Sequence, residues 1–592
     1  MSYYEFLVDV PMVQGKIVRR EQSGKVFIKL ETGRVYSTER QNTTPTRVTI
    51  GKVSEDDENK MYPNDSFFQY FPSVAIPELR PESARSCCLK IGAYIVIKKV
   101  IKELELDKIL KSILKEDNTG LVLDLAAYCI VCEDNAAQYY PDYNYNHALF
   151  TTGMHMYSDS SVSRLFGSLN PSDIQKVLNK WNGKMDKNER IYISYDSTNK
   201  NTQIGDLEIA EFGHPKDDKG LPVFNFSVAY DQSNSIPLFY ENYPGSIVDS
   251  AQLRYTIDKA IGYGYKKMGV ILDRGYFTRN CLQYIVKNGF SYLAMIKGQK
   301  KLISSIILEQ MGKFENKNKY YIPQFNTYGI TVECKLFASD DYNSYIHIYY
   351  NEGRAAGERK QFLENIKRLD KFFNNDAVGK PYDKQTSIDK YFNVVLDSNG
   401  NILFAEEKDE AIDEATSLMG YFGIVSSEKM TARDALFKYK NRDTSEKLFR
   451  ADKTFLGARS ERTHTNEATR SKIFVEFIAL IIRNRIFTLL REAVLNNNIK
   501  SNFMTVPAAI KELDKIESVM TTNGMYMLDH AVTKTQKTIL SAFGLTEADV
   551  REEARGIANA LAVNKGLPEI KEPEEKEVDD EEDDEDGAYE EY

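Results

Sequence analysis

A single tryptophan and six cysteines are all that 592 residues carry of those two types. So few thiols in so long a chain exclude a dense disulfide framework and suit a reducing cytoplasm. The one metal-like spacing, Cys129-Ile-Val-Cys132 with Cys87-Cys88 as the other half of a tetrad, lies in an apolar helical run where buried free thiols are common, so zinc is not the reading. Long hydrophobic runs are missing as well. The two best, residues 121–132 and 473–482, are interrupted by Asp124 and Glu476 and are too short for a bilayer. No apolar stretch follows a basic start, so neither a membrane span nor an export signal is expected. The six histidines show no ligand spacing, and His214 and His347, like Trp181, are read as structural. No internal repeat is found.

Positive charge also looks scarce, with 77 basic residues against 87 acidic ones and a net charge of −10. Its distribution reverses that impression. Residues 571–592 hold 14 acids against 2 lysines, which leaves the rest of the chain at +2. Residues 429–472 hold 12 basic and 6 acidic side chains, and residues 11–50 hold 8 and 3, so two regions are suited to a polyanion. The like-charge run at 579–586 is expected to be a disordered acidic tail, which aids solubility or competes with a polyanion for the basic surfaces.

What is present is a constellation. The stretch Tyr439-Lys-Asn-Arg442-Asp-Thr-Ser-Glu446-Lys-Leu-Phe-Arg-Ala-Asp-Lys453 sets a carboxylate among a phenol, a guanidinium and an ammonium at helical spacing. At about 100° per residue, Arg442, Glu446 and Lys453 project within roughly 60° of Tyr439, with Phe437, Thr444, Leu448, Ala451 and Phe455 opposite. A charged helix face alone usually marks only solvent exposure. Upstream, Asp196 closes the alternating run 191–195 and Asp273 closes the run 268–272, so each stands where a buried strand ends. An aspartate there is often a turn former or a cap. Two of them, with a carboxylate on a downstream helix, form the hard-oxygen set that a two-metal phosphodiester site requires.

With these residues assembled, the sequence resembles the DDE transposases of bacterial insertion sequences, in the superfamily whose third acid lies in a Y-x2-R-x3-E-x6-K signature. Tyr439, Arg442, Glu446 and Lys453 match it residue for residue. Tyr195-Asp-Ser-Thr-Asn199, Pro244-Gly245 with Asp249, Ile271-Leu-Asp-Arg-Gly-Tyr276, and residues 47–52 and 61–64 are similar to the same family, so the resemblance runs over roughly residues 15 to 500. It implies that Asp196, Asp273 and Glu446 are catalytic and hold two Mg²⁺ ions, with Mn²⁺ as a substitute. It also implies DNA contacts from Tyr439, Arg442 and Lys453, to which Arg274, Tyr276, Arg459 and His464 are added as further candidates. The implied partners are double-stranded DNA, as element inverted-repeat ends and as target, and further copies of the chain in a homodimer or higher oligomer. The implied location is the cytoplasm, at the bacterial nucleoid. Water would attack at the element end, and the freed 3′ hydroxyl would then attack target DNA. A nuclease that cuts without joining would use the same acids. A retired transposase kept as a DNA-binding protein would be expected to have lost an acid or the basic face, and this chain has kept both.

A chain of this length exceeds one core, and the expected class is multidomain α/β. Periodicity suggests a β-rich module at 1–80, a helical region at 81–186 suited to binding DNA ends, and a strand-rich core at 187–300. A β-rich insertion at 301–414 follows, drawn from strand-like pieces at 319–325, 329–338, 344–350 and 391–396. The core resumes at 415–500 with the Glu446 helix, then come a helical region at 501–570 suited to oligomerisation and the tail at 571–592. For the core the resemblance implies a ribonuclease-H-like mixed sheet with helices on its faces.

Overall fold

A computed structural model describes residues 3–4, 6–22, 24–37, 42–54, 57–74, 84–202, 207–212, 221–247, 249–383, 389–442, 453, 456–457, 460–461, 463, 465–497, 502–522 and 524–564. The chain divides into two compact units, residues 1–84 with 520–525, and residues 85–519 with 526–592.

In the first unit the alternation of apolar and polar residues becomes an antiparallel five-stranded sheet. Its strand order is Val8–Asp9, Lys60–Pro63, Asn42–Val53, Lys25–Ser37, Ile17–Gln22. Ile28, Leu30, Ile50, Val53 and Met61 point to one side and close over Phe67 of the helix Asp65–Tyr70. Asn64 caps that helix by accepting from the Phe67 N–H at 3.2 Å.

The second unit is built on one large mixed sheet. Its strands are β1 (Ile191–Thr202), β2 (Val223–Asp231), β3 (Ile236–Pro244), β4 (Met268–Leu272), β5 (Ser291–Met295), β6 (Tyr321–Ile322), β7 (Thr327–Cys334), β8 (Ser344–Tyr350), β9 (Tyr421–Ser426) and β10 (Ser460–Glu461). The order is β6-β7-β8-β9-β5-β4-β1-β2-β3, with β10 beside the far end of β1. The central trio β1, β4 and β5 is parallel, whereas β2 and β3 on one side and β9, β8, β7 and β6 on the other are antiparallel. Strands β4 and β5 are joined through the helix Arg279–Lys287, the crossover that a parallel pair needs. Every residue of β4 is buried, as befits a strand covered on both faces.

Three differences from the sequence reading have physical causes. The pieces at 319–325, 329–338 and 344–350 do not stand apart, because β7 and β8 pair onto β9 and carry the central sheet outward. A separate small module remains at 352–417, where the helix Glu352–Lys371 and the hairpin Phe392–Leu396/Ile402–Glu407 share a core of Ile366, Phe373, Phe392, Ile402 and Ile412. Within the strand-rich core, residues 207–212 contribute no strand but one bridge, Glu211 to Val223, while β3 takes the edge beside β2. Residues 501–564 are not all helical, since Glu517–Met520 and Tyr526–Leu528 form a three-stranded sheet with Cys88–Lys90.

The helix Asn466–Asn497 runs through the second unit and is buried on all sides from Ile473 to Ile482. It packs against β3 and against the helices Gly92–Leu104, Glu116–Cys132 and Asp159–Ser168. The helix Pro171–Gly183 covers the β3 edge, where the Trp181 indole N–H and the Asn182 amide donate to the Pro237 and Leu238 carbonyls at 3.0 and 2.9 Å. Among the described residues no helix is long and apolar enough to cross a membrane.

Candidate active site

Two of the three expected acids are brought together by strand register alone. Strands β1 and β4 are parallel and pair Tyr195 with Leu272, both fully buried. Asp196 and Asp273 are the next residues on those neighbouring strands. After Leu272 the chain turns through a single helical turn, Arg274–Tyr276, capped by Asp273, whose Oδ1 accepts from the Arg274 N–H at 2.6 Å. The cap that the sequence allowed as a plain structural role is therefore present. It coexists with a side chain 42% exposed to solvent.

The same turn is tied back to the first acid. Tyr276 is buried, its ring packs edge-on against Tyr195 at 5.3 Å, and its hydroxyl donates to Ser197 Oγ at 2.9 Å. This corrects the expectation of a DNA contact from Tyr276, because a ring enclosed between strands has no face left for a nucleotide. It ties the turn that follows Asp273 to strand β1 beside Asp196 instead. Arg274 is exposed beside it.

The third element is the helix Ala432–Lys440, started by Thr431, whose Oγ1 accepts from the Asp434 N–H at 3.1 Å. Ala432, Ala435, Leu436 and Tyr439 follow the i, i+3, i+4, i+7 spacing and pack on Ile271, Leu293, Tyr349 and Ile424. Tyr439 thus belongs to the packed face and is not an open platform for a base, a correction to the stripe drawn from sequence. The helix is described to Lys440, and Arg442 stands one residue past its Asn441 cap. From there the guanidinium lies 5.7 Å from the Tyr439 ring and places Nη1 3.3 Å from Asp273 Oδ1. Among the described residues both contacts to Asp273 use Oδ1, which leaves Oδ2 open to a hard cation.

Glu446, Arg459 and His464 lie outside the described residues, and for Asp196 only the backbone position is described. Lys453 is half-buried. The segment between Arg442 and Ser460 leaves from beside Asp273 and returns at β10, which pairs with Asn201 and Thr202 of β1.

A set of charges that the sequence did not single out lies beneath. Lys200 of β1, Glu461 of β10, and Lys472 and Glu476 of the long helix are all buried. Lys200 Nζ is 2.7 Å from Glu476 and 3.5 Å from Glu461, Lys472 Nζ is 3.1 Å from Glu461, and the Asn135 amide donates to Glu476 at 2.7 Å. Burial alone raises the Glu461 carboxyl, but Lys472 and Lys200 outweigh it and hold the group below the usual range. The available signal was Glu476, a lone acid inside the apolar run 473–482, whereas Lys200 stands in the polar stretch 196–202 and is not marked out.

Comparison with known proteins fits this arrangement. Residues 193–482 match the family model described as a transposase DDE domain, a span that contains all three acids and the whole signature. Residues 193–482 are therefore a DDE transposase domain, the module of a class of DNA-cutting and DNA-joining enzymes that generally uses divalent metal ions. No curated protein matches it. Among solved structures, a piggyBac transposase synaptic complex with hairpin DNA aligns at 9% identity and a TM-score of 0.35, covering 83% of this chain and 85% of that one. A Mos1 transposase paired-end complex aligns at 11% identity and a TM-score of 0.13, covering 38% and 65%. Neither likeness is close enough to carry an argument.

Proposed function

We propose that Asp196, Asp273 and Glu446 form the catalytic carboxylate set of a cut-and-paste transposase that acts on the inverted-repeat ends of a bacterial insertion sequence. The observation that carries this is the register of β1 and β4, which sets two acids side by side, with Arg442 arriving at 3.3 Å from the second. The order β3-β2-β1-β4-β5, antiparallel then parallel, supports a ribonuclease-H-like core. Of that set the structure describes the Asp273 side chain, whose Oδ2 suits a hard cation; two Mg²⁺ ions, when bound, would polarise the attacking oxygen and offset charge on the leaving 3′ oxygen.

The chain's own residues do the rest. Arg442 carries a planar fork that exchanges a carboxylate for a phosphate without changing geometry, so the contact with Asp273 marks where a DNA phosphate would sit. Tyr439 supports that guanidinium from below, and the Tyr276–Ser197 bond holds the turn after Asp273 against the strand that carries Asp196. Lys453, together with Arg459 and His464, would extend the phosphate contacts. The same site would take water first and the freed 3′ hydroxyl second, on a homodimer or larger assembly that holds two ends at the nucleoid.

Asp196→Asn, Asp273→Asn and Glu446→Gln are expected to abolish end cleavage in Mg²⁺ while leaving binding of an inverted-repeat duplex within about twofold, because each removes a ligand without changing shape. A cleavage assay beside a gel-shift assay reads both. Full cleavage by any one variant would remove that residue from the set, and cleavage without strand joining by the unaltered protein would favour a nuclease.

A further inference from the structure

The five-stranded sheet of the first unit has two unlike faces. One holds the core around Ile28, Met61 and Phe67. On the other, direct antiparallel pairing lines up Arg20, Phe27, Lys52 and Tyr62 as one row across four neighbouring strands, since paired residues point to the same side. Lys25 stands two residues before Phe27 and shares its face. Tyr3 lays its ring 6.1 Å from that of Phe27, tilted by 37°. Tyr3, Tyr4, Lys25, Phe27, Lys52 and Tyr62 line an open groove of about 630 Å³, and no described carboxylate is among its walls. The nearby acid Asp65 is held by the Tyr4 hydroxyl at 2.8 Å.

A lysine patch by itself would suit any polyanion, and a cluster of rings by itself would suit an apolar surface. Here cation and ring alternate along one row at strand spacing, roughly 4.8 Å. That is the pattern for a strand whose bases stack on rings while its phosphates lie along cations. A duplex keeps its base faces inside the stack and would leave half-buried rings on a flat sheet unused. We propose that this outward face is a platform for unpaired DNA, a binding site distinct from the carboxylate set.

The test uses the full chain and fluorescence anisotropy at fixed salt, with a labelled oligothymidine of about 15 nucleotides and a duplex of equal length. Phe27→Ala combined with Tyr62→Ala is expected to weaken oligothymidine binding at least tenfold, in line with a stacking loss of ~1–3 kcal/mol per base, and to leave duplex binding within twofold. Phe27→Tyr with Tyr62→Phe keeps both rings and should bind as the unaltered protein does, which guards against a folding defect. Arg20→Gln with Lys25→Gln should flatten the salt dependence of oligothymidine binding by about 1.4 in log–log slope, roughly 0.7 for each phosphate no longer neutralised. Asp273→Asn should leave oligothymidine affinity unchanged, so the platform and the catalytic reading fail separately. Unchanged oligothymidine affinity without the two rings, or an equal loss for the duplex, overturns the proposal.

Discussion

Asp273 spends one oxygen on two donors, the Arg274 N–H and the Arg442 guanidinium, and this sharing has a measurable consequence. A fixed positive charge 3.3 Å from a carboxylate opposes any cation that approaches it. Arg442→Ala is therefore expected to tighten Mn²⁺ binding by roughly tenfold, about 1.4 kcal/mol, even as it weakens DNA-end binding. Titration calorimetry of the DNA-free protein reads the first effect, and unchanged Mn²⁺ affinity would show that the contact does not compete. At His347 the chemistry is different. The ring is fully buried, Ser426 Oγ donates to the Glu428 carbonyl at 2.6 Å, and that hydroxyl must then accept from Nε2 at 3.0 Å. Nδ1, 2.9 Å from Thr331 Oγ1, is left as an acceptor, so the ring is held neutral. Burial accordingly lowers its pKa from 6.5 to about 4. Between those values the unfolded chain binds the proton and the folded one does not, so the His347 contribution is present above pH 6.5 and is lost as pH falls toward 4, by about 3 kcal/mol in all. Asp124 runs the other way, because burial raises its pKa to about 7 and its contribution falls as pH rises from about 4. The test is thus a difference: His347→Gln should be less stable than the unaltered protein at pH 7.5, and the gap between their thermal midpoints should narrow by pH 4.5.

Strand β4 was legible because its continuous burial is a local pattern that ends sharply at an acid, whereas β1 runs six residues past Asp196 to Thr202 through its pairing with β2, so the strand end expected at that acid is not there. The edge strand β3 was not legible, since Pro237 and Pro244 punctuate it and only its pairing with β2 makes it a strand. The helix Ala432–Lys440 was legible as a helix but not by face. A stripe drawn through 439 to 453 assumes one unbroken helix, whereas Ala432, Ala435 and Leu436 before it decide which side meets the sheet, and Tyr439 goes with them. Contacts between elements were hidden for a plainer reason: Tyr276 and Ser197 are 79 residues apart, and nothing local announces their bond. That bond links the turn after Asp273 to the strand of Asp196, so its loss should be felt in catalysis more than in folding. Tyr276→Phe keeps the buried ring and removes the hydroxyl, at a stability cost of about 1 kcal/mol. The expected signature is a lower single-turnover cleavage rate with unchanged DNA-end affinity and an unchanged Mg²⁺ optimum. An unaltered rate would reduce Tyr276 to a packing residue.

The second unit is held together by its buried charges as well as by its apolar core. Lys200 joins the strand of the first acid to the long helix, and Glu461 joins the segment after the signature to both. Asn135, just past the helix Glu116–Cys132, extends the set into the helical region. Asp124 and Glu476, which in sequence only broke up two apolar runs, are buried acids held by named partners. Asp124 accepts from the Phe150 N–H at 2.6 Å. Two cations and two anions in one dry pocket balance, and a buried pair of this kind adds little over an apolar replacement, although breaking it leaves an uncompensated charge. Lys200→Met is therefore expected to destabilise the chain by about 3–5 kcal/mol, because Glu476 loses its ammonium and Glu461 keeps only Lys472. Replacing the partner too should reverse most of that loss: Lys200→Met with Glu476→Met leaves Glu461 and Lys472 as a balanced pair. Urea midpoints of the two single variants and the double variant give the coupling directly. A double variant no more stable than Lys200→Met would mean that Lys200 acts through its ring contact, with Nζ 4.6 Å from the centre of Phe226, and not through the carboxylates.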